Sequence, residues 1–275
     1  MANKIQYIFD KENLKKSEPG KFKAEDLQHD EMIINIGPQH PSTHGVLRLE
    51  VISNGEEIVD LAPHMGYLHR CFEKHAENLP YNQTLPFTDR MDYVAAMNNE
   101  LAFAMGVERM LGIQNDIPKR VEYIRVLVAE LNRLASHFIA LGTYGMDIGA
   151  VTAFFWMIRD REHILRMLEW VSGARMLYNY IWIGGLYYDL PVGFEERCLE
   201  LIKYLKPKLE EVQKVVIDNK IFIDRTANIG VLDAQLAINY GVTGPMLRGS
   251  GIKYDIRKAD GYSVYPELDF DTPVG

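Results

Sequence analysis

The spacing of apolar residues changes near residue 65, and this change limits which folds the chain can adopt. Before it, Leu47, Leu49 and Val51 alternate with charged residues, with the period of a half-buried strand. After it, apolar residues recur at every third or fourth position, which is the period of a helix face. The sequence therefore predicts a small β unit followed by a larger helical one.

The β unit is predicted to be antiparallel. Asn54 and Gly55 supply the left-handed residues that a tight hairpin needs, and the strand pattern resumes at 57–59. A further strand is expected over 32–36. The segment GPQHPSTHG, residues 37–45, is then the loop that joins two strands.

Four amphipathic stretches follow, each with one apolar face at helical spacing. Their apolar faces begin near four positions: Tyr93, Ile124, residue 150 and Cys198. Gly142 lies where a helix C-cap is expected and is predicted to end the second helix. Pro207 is predicted to kink or restart the fourth helix.

These patterns predict an α+β fold, in which a small N-terminal antiparallel β unit packs on a predominantly α-helical bundle. Residues 1–30 are polar and mixed in charge, and we expect them to form a flexible extension. The β-hairpin unit is expected over 31–63, the helical bundle over 64–217 and a mixed segment over 218–275.

One apolar stretch is long enough to span a bilayer. FIALGTYGMDIGAVTAFFWMI, residues 138–158, contains a single charged residue, Asp147. Its three glycines, this carboxylate and the charged RDRE that follows favour two buried helices joined by a glycine-rich turn. On this interpretation the chain has no membrane anchor of its own.

Charge and cysteine content exclude several classes of protein. A net charge of −8 argues against general nucleic-acid binding, which needs a clustered basic surface. Cys71 and Cys198 cannot by themselves hold an iron–sulfur cluster, which usually takes four thiolates. Two isolated cysteines also favour a reducing compartment, and the N-terminus lacks the apolar run of a signal peptide. We therefore expect exposure to the cytosol.

The GPQHPSTHG loop contains His40 and His44, four positions apart. Such a pair can hold a metal ion on a helix, but Pro41 keeps His40 out of helical geometry. No carboxylate or thiolate nearby in the sequence completes a metal site. Two interpretations stay open: one imidazole donates a proton to a ligand, or the histidines bond only to nearby backbone.

Two acidic segments also allow more than one role. Asp147 is either the N-cap of the helix that starts near Ala150 or a partner for a histidine or cation in a closed cavity. Asp89 or Asp92 is suited to cap the helix at Tyr93. The phenol of Tyr93 is then either part of the core or a polar group in the same cavity.

Nine segments, taken in order, carry a resemblance to a known family. They are GPQHPSTHGVLRLEV, GYLHRCFEKHAEN, LPFTDRMDYV, ELNRLASH, DIGAVTAFFWMIRDRE, WVSGARM, YIWIGGLYYDLP, TANIGV and LRGSGIKYDIRK. From about residue 31 to Gly275 the chain closely resembles the D subunit of bacterial NADH:quinone oxidoreductase, respiratory complex I. Members of that family continue beyond this point, so we expect the chain to lack their C-terminal segment.

The resemblance implies the fold of the nickel–iron hydrogenase large subunit, with the nickel ligands lost. The segments that resemble the hydrogenase N-terminal motifs are HRCFE and DRMDYVA, and the second has no cysteine pair. In the family, the vacated metal cavity is the end of a quinone tunnel, next to an iron–sulfur cluster held by the B subunit.

Four residues take roles from this resemblance. His44 and Tyr93 resemble the two donors to the quinone headgroup. Asp147 resembles the carboxylate that pairs with that histidine, and Arg70 resembles an arginine beside the cluster. From its sequence alone, the segment around Arg70 is equally typical of a solvated helix face.

The implied function is that of the quinone-binding subunit in the peripheral arm of a proton-translocating NADH:quinone oxidoreductase. Quinone is the substrate, and the chain itself binds no NAD, flavin, nickel or iron–sulfur cluster. The expected partners are the B subunit, the C subunit, the membrane H subunit and membrane quinone, without nucleic acid. The location is the cytoplasmic side of the bacterial inner membrane.

Two alternatives remain from the sequence. The chain is a structural or assembly subunit that binds no quinone, or it belongs to a related membrane-bound hydrogenase-type complex. The cysteine-free DRMDYVA segment argues against the hydrogenase.

Overall fold

The computed structural model describes residues 27–28, 30–40 and 45–275. The chain divides into two compact units, Met1–Phe72 and Glu73–Gly275. Most of the predicted N-terminal extension and the tip of the GPQHPSTHG loop, with His44, lie outside the described residues.

A three-stranded antiparallel sheet forms the first unit. Its strands are β1 (Met32–Ile36), β4 (Arg48–Asn54) and β5 (Glu57–His64), with β4 in the centre. Two short strands, β2 (Gln39–His40) and β3 (Gly45–Val46), pair within the GPQHPSTHG loop. The predicted strand over 32–36 and the predicted hairpin are therefore confirmed.

The middle of the central strand β4 is buried on both faces of this sheet. Val51 and Ile52 are buried, and Gly55 has φ 63°, the left-handed conformation expected of the hairpin turn. Glu50 is buried as well, and His64 Nε2 lies 2.9 Å from its Oε2 on the neighbouring strand. A buried carboxylate is stable here because it has this polar partner.

The rest of the described chain is predominantly helical, with a single short hairpin, which confirms the α+β class. The ten helices are α1 (Phe72–Ala76), α2 (Tyr81–Thr88), α3 (Ala96–Leu111), α4 (Lys119–Asp147), α5 (Val151–Ser172), α6 (Phe194–Val212), α7 (Lys220–Thr226), α8 (Ala234–Asn239), α9 (Gly244–Gly249) and α10 (Ile256–Ala259). The hairpin consists of β6 (Ile181–Trp182) and β7 (Gly185–Leu186). Short 3₁₀ turns cover Tyr93–Ala95 and Tyr265–Glu267.

The main core of this unit lies among α3, α4, α5 and α6. Its fully or nearly fully buried members include Met97, Leu101, Val128, Phe138, Ile164, Leu168, Leu201 and Leu205. The four predicted helical stretches are therefore confirmed, and each gives one apolar face to a shared core.

Gly142 does not end the second helix, and its predicted role as a C-cap is wrong. Helix α4 continues for five more residues to Asp147, because Gly142 is a packing position. A Cβ atom there would lie 3.2 Å from Met157 Cβ and 3.4 Å from Phe154 Cα of α5. Gly145 is equally close to Ala153, so small residues let the two helix backbones approach.

The apolar stretch 138–158 forms the end of α4, a turn at 148–150 and the start of α5. This confirms the predicted pair of helices joined by a glycine-containing turn. Within the residues that the structure describes, no helix has the length and apolarity needed to cross a membrane.

Pro207 does not restart the fourth helix, since α6 runs through it without a break. The proline deprives one carbonyl, that of Lys203, of its helical partner. Lys206 and Pro207 flank this carbonyl at the exposed side of the helix, so water can bond it. The regular α geometry ends later, where a π-helical turn covers Gln213–Ile217.

The glycine packing of α4 predicts different effects for one substitution at two helix positions. A Cβ atom at Gly106 of α3 would have open space around it, so Gly106→Ala is expected to raise the free energy of unfolding by about 0.5–1 kcal/mol. Gly142→Ala gains the same helix propensity but forces α5 away, which costs about 1–3 kcal/mol. Urea unfolding of both variants measures this, and equal stabilisation by the two would contradict the packing role.

Candidate functional site

Tyr93 is the first residue of the 3₁₀ turn between α2 and α3, and its side chain is 41% exposed. The turn is fixed to α4 by Asn132, which is fully buried. Asn132 Nδ2 donates to Val94 O at 3.2 Å, and Asn132 Oδ1 accepts from Met97 N at 3.0 Å. A buried amide therefore fixes the backbone on which the exposed phenol is carried.

The acidic residues before Tyr93 do not cap a helix with their side chains. Asp92 occupies the N-cap position of the 3₁₀ turn, but its carboxylate makes no capping bond. Asp89 follows the C-terminus of α2 and is fully buried. The capping role predicted for these two residues is therefore wrong, because the turn is held instead by Asn132 and Asn99. Asn99 Nδ2 donates to Thr88 O and to Asp92 O, each at 3.1 Å.

Asp147 is the last residue of α4 and is exposed. Of the two roles left open for Asp147, the N-cap of the next helix is excluded, since Ala150 holds that position and no side chain caps α5. The turn is closed by backbone bonds instead, with Ala150 N donating to Gly145 O at 2.7 Å. Asp147 therefore lies at the surface of its unit.

A small cavity borders the turn that follows Asp147. Its volume is about 230 Å³, and nine residues line it: Ile148, Gly149, Ala150, Val215, Val216, Asn219, Ile221, Phe222 and Arg225. The lining is mainly apolar, with the guanidinium of Arg225 bonded to the carbonyl of Ile148. The cavity is smaller than most ligand pockets, and it has room for an apolar group rather than for a whole cofactor.

The predicted site residues are divided between the two units of the chain. His44 lies outside the described residues, and Arg70 is an exposed residue of the first unit. Tyr93 and Asp147 belong to the second unit and are both connected to α4. Asp147 follows Asn132, the anchor of the Tyr93 turn, by 15 residues, which is about 22 Å of helix rise.

The metal-site interpretation of the two histidines gains no support from the described residues. His40 lies in β2, opposite Gly45 of β3, as part of a strand pair. Among the residues that the structure describes, no three or more His, Cys, Asp or Glu side chains are grouped as metal ligands.

Sequence reasoning did not detect a buried ion pair in this unit. Arg125 of α4 and Glu108 of α3 are both buried and form two hydrogen bonds, at 2.6 and 3.0 Å. Arg125 Nη2 also donates to Trp182 O at 2.7 Å, and Gly184 N donates to Glu108 Oε1 at 2.7 Å. The pair therefore attaches the β6–β7 hairpin to two helices.

Comparisons with known proteins agree with the resemblance. Residues 147–275 match the family described as the 49 Kd subunit of respiratory-chain NADH dehydrogenase. The NADH-quinone oxidoreductase D subunit numbered 1 in Cytophaga hutchinsonii is 74% identical over 262 residues, which cover 95% of this chain and 67% of that protein.

Two further relatives are also named as D subunits of NADH-quinone oxidoreductase. The protein of Amoebophilus asiaticus is 68% identical over 275 residues, covering 100% of this chain and 68% of its own length. That of Chlorobaculum tepidum is 60% identical over 249 residues, 90% of this chain and 62% of its own length. The chain thus spans about two thirds of the length of these relatives.

These matches define the chain as a subunit of a respiratory-chain oxidoreductase complex. It belongs to the family of NADH-quinone oxidoreductase D subunits, the 49 Kd subunits of complex I.

The buried ion pair predicts a large effect for Arg125 and a small one for its neighbour Arg120. Arg125→Met leaves Glu108 buried without its charged partner, which is expected to cost about 3–5 kcal/mol of unfolding free energy. Arg120, on the same helix, pairs with Asp189 in solvent, so Arg120→Met is expected to leave stability nearly unchanged. Urea unfolding of the two variants measures the difference. Similar losses of unfolding free energy in both variants would show that the buried Arg125–Glu108 pair stabilises the chain no more than the exposed Arg120–Asp189 pair does.

Proposed function

We propose that this chain is the quinone-site subunit in the peripheral arm of a proton-translocating NADH:quinone oxidoreductase. On this proposal Tyr93 and His44 donate protons to the quinone headgroup, and Asp147 orients and charges the imidazole. Arg70 lies beside an iron–sulfur cluster that the B subunit holds.

The placement of Tyr93 is the observation that carries this proposal. A tyrosine that only fills the core has its ring enclosed, whereas this side chain is 41% exposed on a turn fixed by the buried Asn132. Such a phenol is available to an external ligand and has little freedom in its backbone. Both properties suit a donor that must meet a substrate in one orientation.

The surroundings of Asp147 support its part in the proposal. Its exposed carboxylate is not used as a helix cap, and the adjoining cavity is apolar except for the backbone groups, Asn219 and Arg225. An ionised carboxylate in this position can hold a neighbouring imidazole in one orientation and favour its protonated form.

The proposed chemistry follows from the charge that develops on the substrate. The cluster of the B subunit would supply electrons one at a time, and negative charge builds on the two carbonyl oxygens of the quinone as it gains two of them. A phenol, with an ordinary pKa of about 10, and an imidazole, with one of about 6.5, can each donate a proton as this charge grows. Two electrons and two protons convert the quinone to the quinol, and solvent protons restore both donors.

The proposal also includes partners and a location. The chain works only in a complex with the B, C and membrane H subunits, at the cytoplasmic side of the inner membrane, where quinone enters from the bilayer. NADH and flavin bind to other subunits of that complex.

The role of Tyr93 predicts a loss of quinone reduction when only its hydroxyl is removed. In the assembled complex, Tyr93→Phe is expected to lower the quinone reductase rate by about 100-fold, the usual effect of losing a general acid. Tyr123→Phe is the matched control, since that exposed hydroxyl donates to Glu267. If the Tyr93→Phe complex has normal composition and is as active as the control, Tyr93 is not the donor. That result would favour the alternative in which the chain is a structural subunit.

Asp147→Asn is expected to separate assembly from activity. The exposed carboxylate caps no helix, so we expect the complex to assemble normally. Loss of this negative charge is expected to lower the pKa of the neighbouring imidazole by about one unit. The protonated imidazole is then about tenfold rarer, and quinone reduction is expected to slow by about the same factor. Asp116→Asn, at another exposed position, is the control. Failure of the Asp147→Asn complex to assemble would instead assign this residue a structural role.

A further inference from the structure

Two carboxyl side chains, Asp89 and Glu100, are fully buried close to the Tyr93 turn. One oxygen of each accepts backbone N–H groups from the start of the β6–β7 hairpin. Asn179 N donates to Asp89 Oδ2 at 2.9 Å, and Tyr180 N and Ile181 N donate to Glu100 Oε2 at 2.9 and 2.7 Å.

The two carboxyls accept N–H groups of successive residues, Asn179, Tyr180 and Ile181, so they lie beside each other. Asp89 Oδ1 and Glu100 Oε1 are buried, and among the described residues neither accepts a hydrogen bond from an N–H or O–H group of another side chain or of the backbone. A proton on one carboxyl would let that group donate to the unpartnered oxygen of the other. Two ionised carboxylates have no proton to donate and repel each other in the core, so the burial of the pair favours one proton on it.

The electrostatic surroundings favour one proton on this pair. Burial raises the pKa of Glu100 well above its ordinary value, and the adjacent Asp89 raises it further. Burial also raises the pKa of Asp89. The neighbouring Glu100, the N–H of Asn179 and the charge of Arg90 lower this pKa by less, so the net shift is upward. Both shifts agree with a state in which Glu100 is protonated and the adjacent Asp89 is ionised.

Few other titratable groups act on the pair. Burial raises the pKa of Tyr178 to about 12, so this phenol is neutral over the pH range in which enzymes are assayed. Arg161 and Arg175 act on Tyr178 with positive charge and remain ionised. The protonation that we expect to change at this site is therefore that of the Asp89–Glu100 pair, in which the pKa of Glu100 is raised.

The pair connects three parts of the second unit. Asp89 begins the turn that leads to Tyr93, Glu100 lies in α3, and their bonds fix residues 179–181. Leu177 and Asn179 have φ values of 58° and 47°, left-handed conformations that cost free energy and persist where neighbouring bonds enforce them. Asn99, next to Glu100, bonds to the carbonyls of Thr88 and Asp92 on both sides of the same turn.

We propose that Asp89 and Glu100 are a positioning pair for Tyr93, in which one shared proton holds the Asp89–Asp92 turn against α3 and the hairpin. Loss of the proton puts two negative charges side by side and breaks the bond between them. The turn is then released and the phenol of Tyr93 is displaced. The positioning of a quinone donor rests on the proposed function, whereas the shared proton does not.

The pair makes stability depend on pH with a defined sign. The pKa of Glu100 is higher in the folded chain than its ordinary value of 4.5, so the folded state binds the proton more tightly. This contribution is complete below pH 4.5. The stabilisation by the shared proton is lost as the pH rises from there through the raised pKa of the folded state. The stabilisation by an ion-paired carboxylate has the opposite sign and is lost on acidification.

Amide variants test the shared proton directly. In Glu100→Gln the side-chain NH₂ can donate to Asp89 Oδ1 while the carbonyl accepts from Tyr180 and Ile181, and Asp89→Asn can donate in the opposite direction. We expect both single variants to fold, without the alkaline loss of thermal stability that the parent chain shows. The double variant Asp89→Asn/Glu100→Gln turns two NH₂ groups toward each other and is expected to be less stable than either single variant.

Infrared spectra of the same chains provide a second readout. The parent is expected to show a protonated carboxyl band at neutral pH, and Glu100→Gln is expected to lack it. Glu108→Gln is the matched control, because Glu108 is a buried carboxylate on the same helix whose partner is Arg125. The Glu108→Gln variant is expected to be less stable than the parent at every pH and to keep the protonated carboxyl band. Absence of the band from the parent, or a double variant as stable as the single ones, would overturn the shared proton.

Quinone reduction by the assembled complex tests the positioning role. With each pH profile normalised to its own maximum, Glu100→Gln is expected to move the alkaline limb to higher pH by at least about one unit. An unshifted profile in a complex that still requires the Tyr93 hydroxyl would overturn the positioning pair. Failure of the proposed function has a different signature, which is full activity of the Tyr93→Phe complex.

Discussion

Polar side chains on α4 hold the second unit together, and the position of every candidate residue in that unit depends on them. Asn132 bonds to Val94 within the Tyr93 turn and to Met97 after it, and Arg125 bonds to the β6–β7 hairpin. Glu130 of the same helix accepts bonds from Arg257 and Tyr265 near the C-terminus. A single helix of 29 residues thus sets the positions of segments far apart in sequence.

Buried polar groups of this kind restrict the structure more than an apolar core does. Each needs its partner, because a buried donor or acceptor without one costs about 1–3 kcal/mol. The Asn132 amide, the Arg125–Glu108 pair and the Asp89–Glu100 pair each join elements that apolar packing alone would leave free to slide. These groups hold the turns of the unit, including that of Tyr93, in one position.

Local patterns in the sequence were sufficient to predict the sheet and the four long helices but not these connections. Alternation of apolar residues predicted the sheet, and helical spacing predicted α3 to α6, since both depend on local pattern. Arg125, Asn132 and Glu100 are polar residues within helices, and from sequence such residues are expected on the solvent face. Their burial depends on partners 17 to 81 positions away, which no local pattern contains.

The C-cap predicted at Gly142 and the N-cap considered as one of two roles for Asp147 are both absent, for the same reason. Glycine ends many helices and aspartate begins many, so both expectations followed local preference. At Gly142, the close approach of α5 to α4 outweighed the preference of glycine for helix ends. At Asp147, backbone bonds close the turn and make a side-chain cap unnecessary. The family resemblance supplied the roles of His44, Tyr93, Asp147 and Arg70, which spacing and composition alone could not assign.

The position of the quinone headgroup decides most directly whether Tyr93 is its donor. A structure of the assembled complex with a bound quinone analogue measures this position. We predict that one carbonyl oxygen of the headgroup lies within hydrogen-bond distance, about 2.5–3.0 Å, of the Tyr93 hydroxyl. A headgroup bound elsewhere, with the Tyr93 hydroxyl in contact only with protein or water, would contradict the central claim.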